Sequence, residues 1–320
     1  MAIRTDRMGD VLQVLPSIHA LKETFPYSEI TTMINHGVSD LIRGNPEIKD
    51  IFIYDSINYK GIYGNLKLIF SLRKQHFDMV IIFNPQKKFH IISFLAGIKK
   101  RIGYDRKLGF LLTHKIKDLK YLGLKHEIEY NLDLVRLIGA DTKDKSIILY
   151  PDESCKERIE NLFKEFNLKK DDTIIALHPW TSNPEKKWPL ENFKTLIDKI
   201  LEENLGKIVI IGGKEEKQES QDFCLNFGQK IINFTDKLTL KELVYFFKYV
   251  KVLVTNDSGP MHIASGVSVS TVALFRLKPE GVGPKRWGPQ GEKHIVLAKE
   301  SIFDIKVEEV FSAIKKILKR

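Results

Sequence analysis

Cysteine is scarce in this chain of 320 residues, which contains only Cys155 and Cys224. Two isolated cysteines give neither a disulfide framework nor a Cys-x-x-Cys metal pair. No run of about 18 apolar residues is present that could span a bilayer, and the N-terminus lacks the apolar stretch of a signal peptide. These absences fit a reducing compartment, and we expect a cytoplasmic protein.

Acidic residues are scarce between residues 60 and 125, where fifteen lysines and arginines face only Asp78, Asp105 and Asp118. The segment therefore carries +12, more than the +10 of the whole chain. Such a surface attracts a polyanion or an anionic membrane face; the alternative is a solvated lysine-rich surface. No RNA-binding motif or helix-turn-helix pattern accompanies the charge, so we expect no nucleic acid partner.

Short apolar runs alternate with helical patterns along the chain, which is typical of parallel sheets. Residues 11–21 predict one helix, and 79–83 a buried strand. The alternation restarts after residues 147–150, which read as a strand before Pro151. We expect an α/β protein with two domains, residues 1–150 and 151–320, and a cleft between them.

Two segments lie where a strand-like run gives way to a helical pattern, the position at which open α/β sheets bind ligands. Residues 4–10 end in the carboxylate of Asp10, a good proton acceptor. Residues 256–262 place the backbone N–H groups of Ser258 and Gly259 at a helix N-terminus, which suits a phosphate or pyrophosphate.

Two further turns offer polar groups. The proline-punctuated loop 178–189 carries the hydroxyls of Thr181 and Ser182 and the charge of Lys186, which could neutralise a diphosphate; a plain surface loop is the alternative. After Gly212-Gly213, Glu216 could bind ribose hydroxyls, although a Gly-Gly turn is generic.

Together these elements resemble glycosyltransferase family 9, the ADP-heptose:lipopolysaccharide heptosyltransferases. The resemblance is carried by Arg4–Val11, His178-Pro179 with Lys186–Pro189, Gly212-Gly213 with Glu216, and Asp257–His262. It implies the GT-B architecture, in which two Rossmann-like domains with parallel sheets face a central cleft. It also implies inversion at the anomeric carbon, no cofactor and no metal, and the chain has no Asp-x-Asp in a suitable loop to chelate one.

The resemblance also implies roles for individual residues. Asp10 would be the catalytic base, although it could instead only cap the following helix. The donor would be bound by Thr181, Ser182, Lys186, Glu216, Leu238, Asp257, Ser258, Gly259 and His262, the last of which could be a plain helix residue. From the charge pattern rather than the resemblance, Arg7, Lys99, Lys100 and Arg101 are expected to bind the acceptor, although Arg7 could instead be a plain surface residue. The final helix is a candidate to pack back on the first domain.

We therefore expect a heptosyltransferase that takes ADP-heptose as donor and an anionic lipid A–Kdo glycolipid as acceptor. It would associate transiently with the cytoplasmic face of the inner membrane. One alternative is a related GT-B transferase that uses another nucleotide sugar. The other is a nucleotide-binding or nucleic-acid-binding protein without chemistry.

Overall fold

The computed structural model describes all 320 residues, which form two compact units, Met1–Ile147 and Ile148–Arg320. The second unit begins three residues before the predicted domain boundary. Each unit contains one six-stranded parallel sheet, so the predicted α/β class is confirmed. None of the helices combines the length and apolar composition needed to cross a membrane.

The first unit has the strand order β3-β2-β1-β4-β5-β6, in which the order reverses at the β1/β4 pair. In a doubly wound sheet this switch point is where ligands bind, beyond the carboxyl ends of the strands. The strands are β1 (Ala2–Ile3), β2 (Thr31–Asn35), β3 (Asp50–Tyr54), β4 (Met79–Ile82), β5 (Lys100–Asp105) and β6 (His114–Lys117). The helices are α1 (Met8–Leu12), α2 (Leu15–Thr24), α3 (Ser39–Ile42), α4 (Gly61–Lys74), α5 (Lys87–Leu95) and α6 (Glu127–Arg136).

The second unit repeats this plan in the order β12-β11-β10-β7-β8-β9, with its switch point between β7 and β10. Its strands are β7 (Ile174–His178), β8 (Lys207–Ile210), β9 (Ile232–Asn233), β10 (Val250–Asn256), β11 (Ser270–Arg276) and β12 (Ile295–Lys299). Its helices are α7 (Lys156–Glu165), α8 (Leu190–Glu202), α9 (Lys217–Leu225), α10 (Leu240–Phe246), α11 (Gly259–Gly266), α12 (Pro284–Trp287) and α13 (Val307–Leu318).

Each unit has its own apolar core. In the first unit, α4 and α5 pack Leu68 and Phe89 against Ile3 and Ile82 of the central strands. The final helix, α13, buries Ile314 in the core of the second unit.

Some expected elements differ from the structure. The helix predicted over residues 11–21 is two helices, and Pro16, which lacks a backbone N–H, lies in the first turn of the second. The strand expected at 147–150 is irregular, and the Leu149 N–H bonds to the Gly266 carbonyl (2.9 Å) instead of to a sheet.

Candidate active site

Asp10 lies in α1, immediately beyond the carboxyl end of β1, and its carboxylate is held by Arg4. The Arg4 side chain is only 5% exposed, and its Nη2 donates to Asp10 Oδ1. Its Nε donates to Asp6 Oδ1 at 2.7 Å. One guanidinium thus fixes the direction of both carboxylates at the switch point.

The other side of Arg4 reaches α6. Its Nη1 donates to Glu127 Oε1 (3.2 Å), to Asn131 Oδ1 (3.4 Å) and to the Phe83 carbonyl (3.3 Å). Glu127 is fully buried and also accepts from Lys120 Nζ at 2.7 Å. The buried cations are therefore balanced by carboxylates, as buried charges must be.

The neighbours of Arg4 change the proton affinity of this cluster. Burial alone would lower the pKa of Arg4, but Asp6, Asp10 and Glu127 raise it above its ordinary value. Burial raises the pKa of Asp6, and the Asp10 carboxylate adds to this, although Arg4 opposes it. Arg4 therefore stays a cation and holds the carboxylate of Asp10 in place.

The basic residues expected at the acceptor lie in two different places. Arg7 is exposed at the N-cap of α1, on the same sheet edge as Asp10. Lys99, Lys100 and Arg101 lie where β5 begins, and β5 is parallel to the other strands, so they lie at the opposite edge. Arg101 also donates to the Leu111 carbonyl (2.7 Å). The structure does not bring these three residues beside Asp10.

In the second unit, Ser258 is the N-cap residue of α11, at the carboxyl end of β10. No side chain caps this helix, whose first turn contains Pro260. The Ser258 hydroxyl turns to the β7 side of the switch point and lies 3.2 Å from His178 Nδ1 and 3.0 Å from Thr255 Oγ1. Burial lowers the pKa of His178 to about 4, so the ring is neutral near pH 7.

Asn256, which is fully buried, connects this turn to the loop after β7. Its Nδ2 donates to the Pro179 carbonyl (2.8 Å), and its Oδ1 accepts from the Trp188 N–H (3.0 Å). Both ends of the loop that carries Thr181, Ser182 and Lys186 are thereby fixed to β10.

Lys186 and Asp257 form an ion pair, although 71 residues separate them. Lys186 ends a short 3₁₀ turn, Pro184–Lys186, whose Glu185 N–H bonds to Asn183 Oδ1 at 3.0 Å. The side chains of Lys186 and Asp257 are 20% and 9% exposed, respectively. The pair places one partly shielded cation beside the N-terminus of α11.

The remaining donor candidates follow neighbouring strands. Glu216 ends the 3₁₀ turn after β8, and its Oε2 accepts from the Gly213 N–H at 2.8 Å. Leu238 is half-buried beyond β9, and His262 is buried in α11. All nine donor candidates follow the carboxyl ends of four adjacent strands of one sheet: Thr181, Ser182, Lys186, Glu216, Leu238, Asp257, Ser258, Gly259 and His262.

Comparison with known proteins identifies the family. The sequence model of glycosyltransferase family 9 (heptosyltransferase) matches residues 65–310. The chain belongs to glycosyltransferase family 9. Lipooligosaccharide heptosyltransferase 2 of Campylobacter jejuni is 26% identical, over 97% of this chain and 96% of that protein.

Solved structures confirm the GT-B fold of this glycosyltransferase. The family 9 glycosyl transferase of Veillonella parvula superposes with a TM-score of 0.87 at 23% identity, over 99% of this chain and 96% of that one. Escherichia coli ADP-heptose lipopolysaccharide heptosyltransferase II gives 0.82 at 20% identity, over 99% and 98%.

Sequence reasoning missed several polar residues of this glycosyltransferase. Arg4 and Asn256 lie within the motifs but have no predicted role there, and Glu127 lies outside every motif. Arg276, at the end of β11, pairs with Glu185, and its buried Nε has no partner. The available sequence signal for Arg276 was an arginine directly after the strand-like apolar run 271–275. No group of three or more His, Cys, Asp or Glu side chains is arranged to hold a metal ion.

Proposed function

We propose that this family 9 glycosyltransferase transfers heptose from ADP-heptose to the inner core of lipopolysaccharide, with inversion and without a metal. The observation that carries the proposal is Asp10, held by the buried Arg4 at the switch point of the first sheet. Two relatives support the proposal. The Escherichia coli and Campylobacter enzymes are both named heptosyltransferases, and the name of the Escherichia coli enzyme also includes ADP-heptose.

Asp10 would act as the general base. An acceptor hydroxyl is a weak nucleophile, so its proton must leave during attack on the anomeric carbon. As the new C–O bond forms, the bond from that carbon to the diphosphate breaks on the opposite face. The proton passes to Asp10, the electron pair leaves with ADP, and the configuration at the carbon inverts. Arg4 would keep the carboxylate aimed during this step.

The second unit would hold the donor. Its diphosphate would meet the ammonium of Lys186 and the N–H groups at the start of α11, where the helix dipole favours negative charge. The charge on ADP grows as the bond breaks, so these donors stabilise the transition state more than the ground state. Glu216 would hold the ribose and Leu238 would face the adenine, with no other cofactor.

The acceptor would be an anionic lipid A–Kdo glycolipid at the cytoplasmic face of the inner membrane. Arg7 would meet its carboxylate or phosphate; its position on the edge that carries Asp10 supports this role. A nucleic acid is not part of this proposal.

A direct assay of heptose transfer tests the proposed function. The purified protein is incubated with ADP-heptose and lipid A–Kdo acceptor, and ADP release and the product mass are measured. The parent should add one heptose, and Asp10→Asn should lose turnover while still binding ADP. A parent that neither binds ADP nor adds a heptose would refute the donor assignment, and UDP-, GDP- and CMP-sugars would then be tried.

The metal-independent mechanism has its own test. If Lys186 and the helix amides neutralise the leaving ADP, EDTA should leave turnover unchanged. Inactivation by EDTA that Mg²⁺ or Mn²⁺ reverses would contradict this mechanism.

A further inference from the structure

The outward surface of α4, α5 and the loop before α4, here called the α4–α5 face, exposes unusually many apolar side chains. Eight of the twenty exposed large hydrophobic residues of the chain lie within residues 57–95. Tyr63 is 90% exposed, Ile62 77% and Phe70 57%. Exposed apolar residues are ordinary when scattered, but a contiguous patch marks an interaction site.

Helical spacing shows that three of these side chains form one row on α4. Ile62, Leu66 and Phe70 follow one another at intervals of four residues, so they lie on one face of α4. The opposite face, which contains Leu68 and Leu72, already fills the core. The outward row therefore does not serve the packing of this unit.

The part of the chain that carries the row has charge of almost one sign. Residues 56–104 contain nine lysines and arginines and one acid, Asp78. Two of these cations donate hydrogen bonds within the unit. Lys88 Nζ donates to Tyr54 Oη (2.8 Å), and Arg73 Nη2 donates to the Leu95 carbonyl (2.7 Å). The exposed lysines that remain are Lys60, Lys67, Lys74, Lys87, Lys99 and Lys100.

The apolar row ends at the candidate catalytic edge. Because α4 follows β3, its N-terminus lies at the carboxyl edge of the sheet, where Asp10 also lies. Ile57, Ile62 and Tyr63, the most exposed members, are at this end. A bilayer on this face would meet the protein next to the edge that carries the base.

We propose that the α4–α5 face docks on an anionic phospholipid bilayer. Ile62, Tyr63, Leu66 and Phe70 would insert among the headgroups, and the lysines would contact lipid phosphates. Apolar insertion favours a membrane over a nucleic acid, and the excess of one charge favours it over a second copy of the chain. This docking surface rests on the proposed function, because it is the surface that would meet the membrane in which the acceptor lies.

The experiment is sedimentation of the full chain with vesicles of phosphatidylglycerol and phosphatidylethanolamine, and with phosphatidylcholine vesicles. The parent should prefer the anionic vesicles and lose binding as salt rises. Ile62→Ser/Tyr63→Ser/Phe70→Ser should bind at least about tenfold more weakly. Lys67→Gln/Lys74→Gln should lose about 25-fold at low salt, because each charge contributes about fivefold.

Matched controls lie in the second unit. Leu225 is 78% exposed, and Lys169 and Lys230 are exposed. Leu225→Ser and Lys169→Gln/Lys230→Gln should bind vesicles like the parent. Circular dichroism should show native spectra for every variant, since all the changed side chains are exposed.

Several results would overturn the proposal. They are a parent that does not sediment with anionic vesicles, face variants that bind like the parent, or a parent dimer that the apolar variant dissociates.

A separate measurement isolates the proposed function. Transfer to a water-soluble, deacylated acceptor should be equal in parent and face variants. Absence of all transfer would refute the function and leave the vesicle result standing.

Discussion

At the residue scale, Arg4 is the side chain on which the candidate base depends. It bonds to Asp10 and Asp6 on one side and to the buried Glu127 on the other. Only the planar guanidinium can donate in several fixed directions at once. An ammonium at the same position would keep the charge but lose some of these bonds.

We therefore expect Arg4→Lys to fold and to lose at least about tenfold in kcat, which corresponds to about 1.4 kcal/mol. Its affinity for ADP should be unchanged, because the donor candidates lie in the second unit. Steady-state ADP release gives kcat, and calorimetry gives the ADP Kd. A kcat equal to that of the parent would show that Arg4 does not position Asp10.

Lys186 supports a second prediction at this scale. Lys186→Ala should cost roughly 1.5–3 kcal/mol in transition-state stabilisation, because the proposed charge-assisted contact to the diphosphate would be lost. The loss should appear mainly in kcat, because the contact strengthens as ADP leaves. Lys187→Ala is the matched control, since the neighbouring Lys187 pairs with Glu219 instead. Equal turnover in parent and Lys186→Ala at saturating donor would contradict this role.

At the element scale, the local sequence pattern predicted most of the alternating strands and helices. It did not predict which distant side chains form ion pairs. The central strands are buried apolar runs and are easily recognised, whereas edge strand β6 alternates lysine with half-buried residues and was missed. The Asp10 and Asp257 turns were found because strand-to-helix turns have a local signature. The ion pairs at these turns were not found from the sequence, because their partners are far apart in the chain. Arg4 pairs with Glu127 across 123 residues, and Lys186 pairs with Asp257 across 71. Only the folded sheet brings such residues together.

Gly212, in the turn after β8, supports a prediction about stability. A Cβ on Gly212 would lie 2.8 Å from ring atoms of the buried Trp180. Gly212→Ala should therefore lower the free energy of unfolding by about 1–3 kcal/mol. Gly37→Ala is the control, because a Cβ there meets nothing within 4 Å. Urea unfolding followed by tryptophan fluorescence measures both; an unchanged midpoint for Gly212→Ala would show that the turn adjusts without cost.

At the scale of the whole molecule, charge is divided unevenly. The first unit has 23 lysines and arginines against 16 acids, and the second has 28 against 25, so the units carry +7 and +3. The excess of the first unit lies mostly around the α4–α5 face. The second unit, which is closer to neutral, contains the buried histidines His178 and His294, whose protonation opposes folding. Burial lowers the pKa of His90 in the first unit as well.

The dependence of stability on pH follows from these histidines. Burial lowers the pKa of His178 to about 4, and burial with nearby Lys293 does the same for His294. An unfolded histidine titrates near 6.5, so between about pH 6.5 and 4 each of these two sites binds more protons in the unfolded chain than in the folded one. The free energy of unfolding should therefore fall as pH decreases through this window.

His178→Gln tests this dependence. Removing one titrating group should reduce the loss of stability between pH 7 and pH 4 by up to about 3.4 kcal/mol, since 2.5 pH units at 1.36 kcal/mol each is the largest contribution a single site can make. The exposed His36→Gln is the control and should leave the pH dependence unchanged. Urea unfolding at a series of pH values gives the free energies. If parent and His178→Gln lose stability equally on acidification, His178 is not held neutral by burial, and the acid sensitivity must come from other groups.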